Sequence, residues 1–313
     1  MGRADGGSRD ENVSARSPSR RSGHSGYDGG VKIAIVGPGS IGSTFAMYLS
    51  RAGHDVTVVA RGARLAQLER DKAIVPVSGE PAPVAVSAAL DPVVAWDLVL
   101  VTVLATQVDA VLPAIQASAA KRVMFMFNTF EALDRLRDAV GAARFAWGFP
   151  AVLATLTEGK LKTQVFRVPQ ITTVTDAAWS DVFNRAGIPT VVVDDMQSWL
   201  RTHAAMIVPM MAAAVQTHAR GAGLSWAEAR ELARAMAEGF QVVRALGGTI
   251  TPKAMVRLRA VPTPVVTFVL WAFTRLPMAA ELGASGPGEA RSLIDAMIAA
   301  APDQSATLRA IRP

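Results

Sequence analysis

The chain of 313 residues contains no cysteine. That excludes a disulfide framework and any thiolate-ligated metal centre. Lysine is scarce as well, at positions 32, 72, 121, 160, 162 and 253 only. The arginines are scattered among acids, and no basic stripe is interleaved with aromatics, which argues against nucleic-acid binding. No apolar run reaches the ~20 residues that span a bilayer. The longest, Pro264–Phe273, reads as a buried helix, with a dimer interface as the alternative, and no membrane partner is expected. A secretory h-region is missing, and His, Asp and Glu show no metal-ligand spacing. These absences fit a metal-free cytoplasmic protein.

What is present fits a large, buried core. Half of the residues (50%) are hydrophobic, and the length suits two domains. A net charge of +6 suits an anionic cofactor or substrate. Residues 1–30 are rich in Gly, Ser, Arg and Asp. They read as a disordered tail, or as extra sequence from an upstream start codon.

The most informative segment is Val31-Lys-Ile-Ala-Ile-Val-Gly-Pro-Gly-Ser-Ile-Gly42. A buried strand runs into a G-x-G-x-x-G turn and a helix start. Gly37 permits the tight turn, Gly39 lets the backbone approach a pyrophosphate, and Gly42 lets helix and strand pack closely. The free N–H groups of the helix start favour phosphate. Gly37, Pro38, Gly39, Ser40, Ile41 and Gly42 are therefore the expected phosphate cradle.

Further apolar, β-branched strands are expected at 55–60, 97–103 and 122–127, with a helix at 107–118. From Ser198, a plausible N-cap, the pattern turns helical. One long helix reaches His218, and a second starts at the capping-box sequence Ser225-Trp-Ala-Glu228. The expected fold is α/β: a Rossmann-type, doubly wound domain over 31–195, then an all-helical domain over 196–313 that carries the substrate site.

At the end of the second strand an acid would bind the ribose hydroxyls of NAD. Here the sequence is Ala60-Arg61-Gly62-Ala63-Arg64. A guanidinium matches a 2′-phosphate, so Arg61 and Arg64 point to NADP(H).

The glycine segment, Ala52-Gly-His-Asp-Val-Thr-Val-Val-Ala-Arg61, Asp97-Leu-Val-Leu-Val101, Asn128 and Trp199-Leu-Arg-Thr202 resemble the ketopantoate reductase (2-dehydropantoate 2-reductase) family. The resemblance covers roughly residues 31–300 and is strongest over its first 70 residues. It implies a cleft between the two domains and hydride transfer from NADPH to the carbonyl of a 2-oxo acid. It implies catalytic and cofactor contacts for Asn128. The family's catalytic lysine falls at Arg201, its two amide positions fall at Ala205 and Pro209, and its other lysine falls at Leu104. Glu289 is the candidate for the family's substrate-binding carboxylate. Members occur as monomers and dimers, so a homodimer stays open.

Arginine stays protonated, so Arg201 can hold a carboxylate or polarise an oxygen but donates a proton poorly. His203 is the nearest alternative donor, although residues two apart do not share a helix face. The apolar wall at Ala205 and Pro209 cannot select a hydroxyl-bearing substrate. The expected function is an NADPH-dependent reductase of a more apolar oxo compound than ketopantoate. A catalytically silent NADP-binding protein and an imine- or opine-type reductase are the alternatives.

Overall fold

The computed structural model describes residues 1–2, 30–167, 170–284 and 286–313. The tail expected over residues 1–30 therefore lies almost wholly outside the described residues.

Eight strands form one sheet. Their order is Thr190–Val192, Thr172–Val174, Phe145–Phe149, Val123–Phe125, Leu98–Val101, Lys32–Val36, Asp55–Val59 and Ala85–Ser87. All neighbours are parallel except Phe145–Phe149 with Thr172–Val174. Apart from Lys32 at its exposed start, the strand Lys32–Val36 and its neighbour Leu98–Val101 are apolar throughout because both faces are covered. Leu98–Val101 is buried throughout. Ile33 and Ile35 face one layer, with Phe45, Leu49 and Phe183. Ala34 and Val36 face the other, with Ile115, Phe125 and Trp147. The chain starts at Lys32–Val36 and winds to either side of it. That strand and Leu98–Val101 therefore flank a topological switch point, where open α/β sheets bind ligands.

The helical region opens with Met196–Arg220, followed by Trp226–Ala245 and shorter helices down to Ala306–Ala310. Small residues let the two long helices approach closely. A Cβ added to Gly239 would sit 3.0 Å from the Ala205 Cβ. Ser225 and Glu228 form the expected capping box, each side chain accepting from the other's backbone N–H.

Two sequence expectations need correction. The long helix is capped by Asp195, whose carboxylate accepts from the Ser198 N–H at 2.9 Å. The Ser198 hydroxyl instead accepts from the Thr249 N–H at 2.9 Å. The helix Thr263–Phe273 is only half buried. Thr267, Leu270 and Phe273 face the core, while Phe268 and Val269 are 55% and 58% exposed. Among the described residues no single helix is long and apolar enough to cross a membrane.

Candidate cofactor and substrate site

The glycine loop joins the strand Lys32–Val36 to the helix Ser40–Arg51. Gly37 has φ +85°, a left-handed conformation that a side chain would strain. Its missing Cβ also makes room for Val103, whose Cγ1 would lie 2.6 Å away. A Cβ on Gly42 would lie 2.7 Å from the Gly37 carbonyl oxygen and would collide with the Thr102 hydroxyl. That hydroxyl donates to the same carbonyl at 2.8 Å, which ties the turn to the neighbouring strand. Gly39 is different: a Cβ there would meet nothing within 4 Å. The open space lies over the helix N-terminus, which has no side-chain cap and no acid in its first turn. Such an end presents N–H groups and positive potential to an anion.

The two arginines after the second strand have separate roles. Arg64 is turned onto the back of the glycine loop. Its Nε donates to the Pro38 carbonyl at 2.9 Å, and another nitrogen donates to the Ser43 hydroxyl at 2.6 Å. A third bond goes to the Gln67 side chain. Burial lowers its pKa from the ordinary value, with Asp71 opposing. Arg61 is exposed, and its side chain has no hydrogen bond or ion pair among the described residues. Both border a cavity of about 570 Å³ formed by the glycine loop, Val59, Ala60, Leu90, Val103, Leu104 and Gln107.

A second cavity, of about 720 Å³, lies between the sheet domain and the helices. Leu104 borders both. The position where the resemblance placed a second lysine is thus at their junction, and it carries an alkyl side chain.

The long helix offers this cavity His203, Ile207, Met210, Met211, Ala214 and Val215. These recur every three to four positions and form one face. Arg201 is not on it. Its Nε donates to the Phe130 carbonyl at 3.3 Å, and its guanidinium stands 5.6 Å from the Phe130 ring centroid. Burial lowers its pKa, opposed by Asp195 and Asp134. Ala205 and Pro209 are not on the cleft face either. Both are buried, and Ala205 packs in the helical core with Val208 and Ala212. None of the three borders this cavity: Ala205 and Pro209 are buried in the helical layer, and Arg201 is half-buried beside Phe130.

His203, two residues on, does border the cavity. Its ring stacks on Trp199 with centroids 5.3 Å apart and planes 6° from parallel, and it lies 4.4 Å from the Phe149 centroid. These surroundings strip water from the imidazole and push its pKa down to about 4. Neither ring nitrogen has a hydrogen-bond partner among the described residues.

Asn128 and Glu289, distant in sequence, meet in this cleft. The Asn128 side chain lies beside the Glu289 carboxyl and favours its charged form. The Asn128 Oδ1 is buried without a partner among the described residues. The Glu289 carboxyl is open to the cleft mouth but walled by protein on most sides. Desolvation raises its pKa, and Asn128 opposes the rise.

The Ketopantoate reductase PanE/ApbA family profile matches residues 33–174. That stretch includes the glycine loop, both arginines, Leu104 and Asn128. The 2-dehydropantoate 2-reductase of Vibrio cholerae is 31% identical over 142 residues, which is 44% of this chain and 43% of that protein. The match thus spans less than half of the curated relative. Solved structures match over more of the chain. The PanE/ApbA family ketopantoate reductase of Ralstonia eutropha superposes with TM-score 0.70 at 20% identity, over 90% of this chain and 96% of that one. A D-mandelate dehydrogenase bound to NADH and anilino(oxo)acetate gives 0.65 at 16%, over 90% and 98%. These structural likenesses extend the shared fold to the helical domain.

Proposed function

We propose that the chain is an NADP(H)-dependent oxidoreductase that reduces a double-bonded carbon of a small, largely apolar molecule. One observation carries this reading. A phosphate-type cradle with an unpartnered Arg61 at its rim opens past Leu104 into an apolar cleft between two domains. The glycine loop and Arg61 fit a dinucleotide bearing a 2′-phosphate. When bound, a reduced nicotinamide supplies a hydride.

The chain's own residues do the rest. Thr102 and Arg64 hold the glycine loop in shape from behind. Ile207, Met210 and Met211 exclude water from the substrate. Asn128 and Glu289 supply the polar contacts that orient it. At neutral pH the His203 ring is uncharged, so it can donate a hydrogen bond to a reacting heteroatom but carries no spare proton. Ketopantoate is a poor candidate substrate, because its hydroxyl and carboxylate would face an alkyl wall.

The test is NADPH oxidation by the purified protein against a panel of oxo and imino compounds. Turnover of an apolar acceptor, with ketopantoate at least about a hundredfold poorer in kcat/KM, is expected. Efficient ketopantoate turnover would overturn the substrate assignment. A second reading, a silent NADP-binding protein, draws on Leu104 at the junction and Arg201 outside the cleft. Tight NADPH binding without turnover of any acceptor would favour it.

A further inference from the structure

The charges lining the substrate cleft are one-sided. Among the described residues that border it there is no lysine and no arginine, while Glu131 and Glu289 are carboxylates. Arg201, the cation nearest by sequence to His203, is not on the lining; its Nε donates to the Phe130 carbonyl and its guanidinium stands over the Phe130 ring. Glu131 is paired with Arg135 at 3.9 Å, so an anionic oxo acid would enter this cleft with no counter-ion on the lining and with the Glu289 carboxylate at its wall. A desolvated, uncompensated carboxylate is strongly disfavoured.

The proton supply is equally one-sided. Reducing a ketone creates an alkoxide, which needs an acid or a cation close by. Leu104 and Arg201 supply neither inside the cleft, and His203 stays neutral there. The charged groups that border the cleft are carboxylates, and Glu289 is the one beside Asn128. A carboxylate with no cation on the same wall favours a ligand that donates N–H bonds or carries positive charge.

Resting on the NADP(H) reading above, we propose that the cleft reduces a protonated or quaternised imine on an apolar body, not an oxo acid. The step then balances without an acid from the protein. The iminium carbon gains a hydride from the reduced nicotinamide, and a C–H bond forms. The C=N π pair withdraws to nitrogen as a lone pair. The products are a neutral amine and the oxidised nicotinamide. Glu289 lies where it can hold the cationic nitrogen before transfer, and the methionine and isoleucine wall takes the hydrocarbon.

The experiment compares three probes of similar size: N-methyl-3,4-dihydroisoquinolinium, 1-tetralone and phenylglyoxylate. NADPH affinity is measured first by calorimetry, so that failure of the cofactor reading is seen separately. With NADPH bound, the iminium should be reduced with a kcat/KM at least about tenfold above the ketone and the oxo acid. Glu289→Gln should lower iminium kcat/KM about tenfold and leave NADPH affinity unchanged. A binding arm decides if no probe turns over. N-methyltetrahydroisoquinoline, an ammonium, should bind the NADP-loaded protein more tightly than mandelate. Equal or better use of phenylglyoxylate, equal or better binding of mandelate, or binding of neither amine nor acid overturns the proposal.

Discussion

Arg64 donates through Nε to the carbonyl of Pro38, the residue between the first two glycines of the loop, at 2.9 Å. Three residues earlier, Arg61 has no such partner among the described residues. One arginine is engaged by the loop and the other stays exposed at the rim of the cavity. Replacing each should give a different signature. Arg64→Met should weaken NADPH and NADH alike, because the loop itself loosens. It should also lower stability by about 1–3 kcal/mol, the usual worth of hydrogen bonds from a charged group. Arg61→Ala should leave the denaturation midpoint unchanged and weaken NADPH alone. Calorimetry with both nucleotides and urea unfolding check the pair.

Gly42→Ala and Gly39→Ala should likewise separate. A methyl at 42 meets the Thr102 hydroxyl and the Gly37 carbonyl, neither of which can move without opening the turn. Overpacking of this kind costs about 1–3 kcal/mol, so a lower unfolding midpoint is expected. A methyl at 39 meets no protein atom. The free protein should keep its stability and lose cofactor affinity, because the proposed phosphate position lies over that space. Unchanged affinity in Gly39→Ala would mean that the phosphates lie elsewhere.

His203 should make the fold sensitive to acid. Its pKa is held at about 4 in the folded protein against 6.5 for an ordinary histidine. The unfolded chain therefore binds the proton more readily. The stabilising term is complete above pH 6.5 and is lost as pH falls towards 4. Its full size is up to about 3 kcal/mol by linkage. Urea unfolding at neutral and acidic pH should show a larger acid loss in the wild type than in His203→Gln. Equal losses would place His203 in a wetter setting.

Arg201→Ala should lower kcat/KM by less than about tenfold, through slackened packing of Phe130. Removal of a group that works on the reacting atoms typically costs about a hundredfold or more. A kcat loss of that size with unchanged KM would return Arg201 to the chemistry.

The sheet and its glycine loop were legible because their signals are local. Unbroken apolar runs such as Leu98–Val101 exclude solvent on both faces. The loop glycines answer to contacts within their own turn and the adjoining strands. The cleft was not legible in the same way. Spacing shows that Met196–Arg220 is a helix, but its rotation is set by what packs against it. Counting from Trp199 selects the face of Arg201 and Ala205. The structure buries Ala205 against Gly239 and turns His203 outward. A usable signal was present, since small residues cluster where helices touch and bulkier Ile207, Met210 and Met211 are left for the cavity. Asn128 and Glu289 were each named from resemblance. Only the folded chain shows that they meet.

The most direct test compares the dissociation constants of NADPH and NADH for the wild type and for Arg61→Ala. The wild type should hold NADPH at least about tenfold more tightly, the worth of one charge-assisted phosphate contact. Arg61→Ala should erase the difference by weakening NADPH only. Equal affinities in the wild type, or a preference for NADH, would contradict an NADP(H) site at this loop.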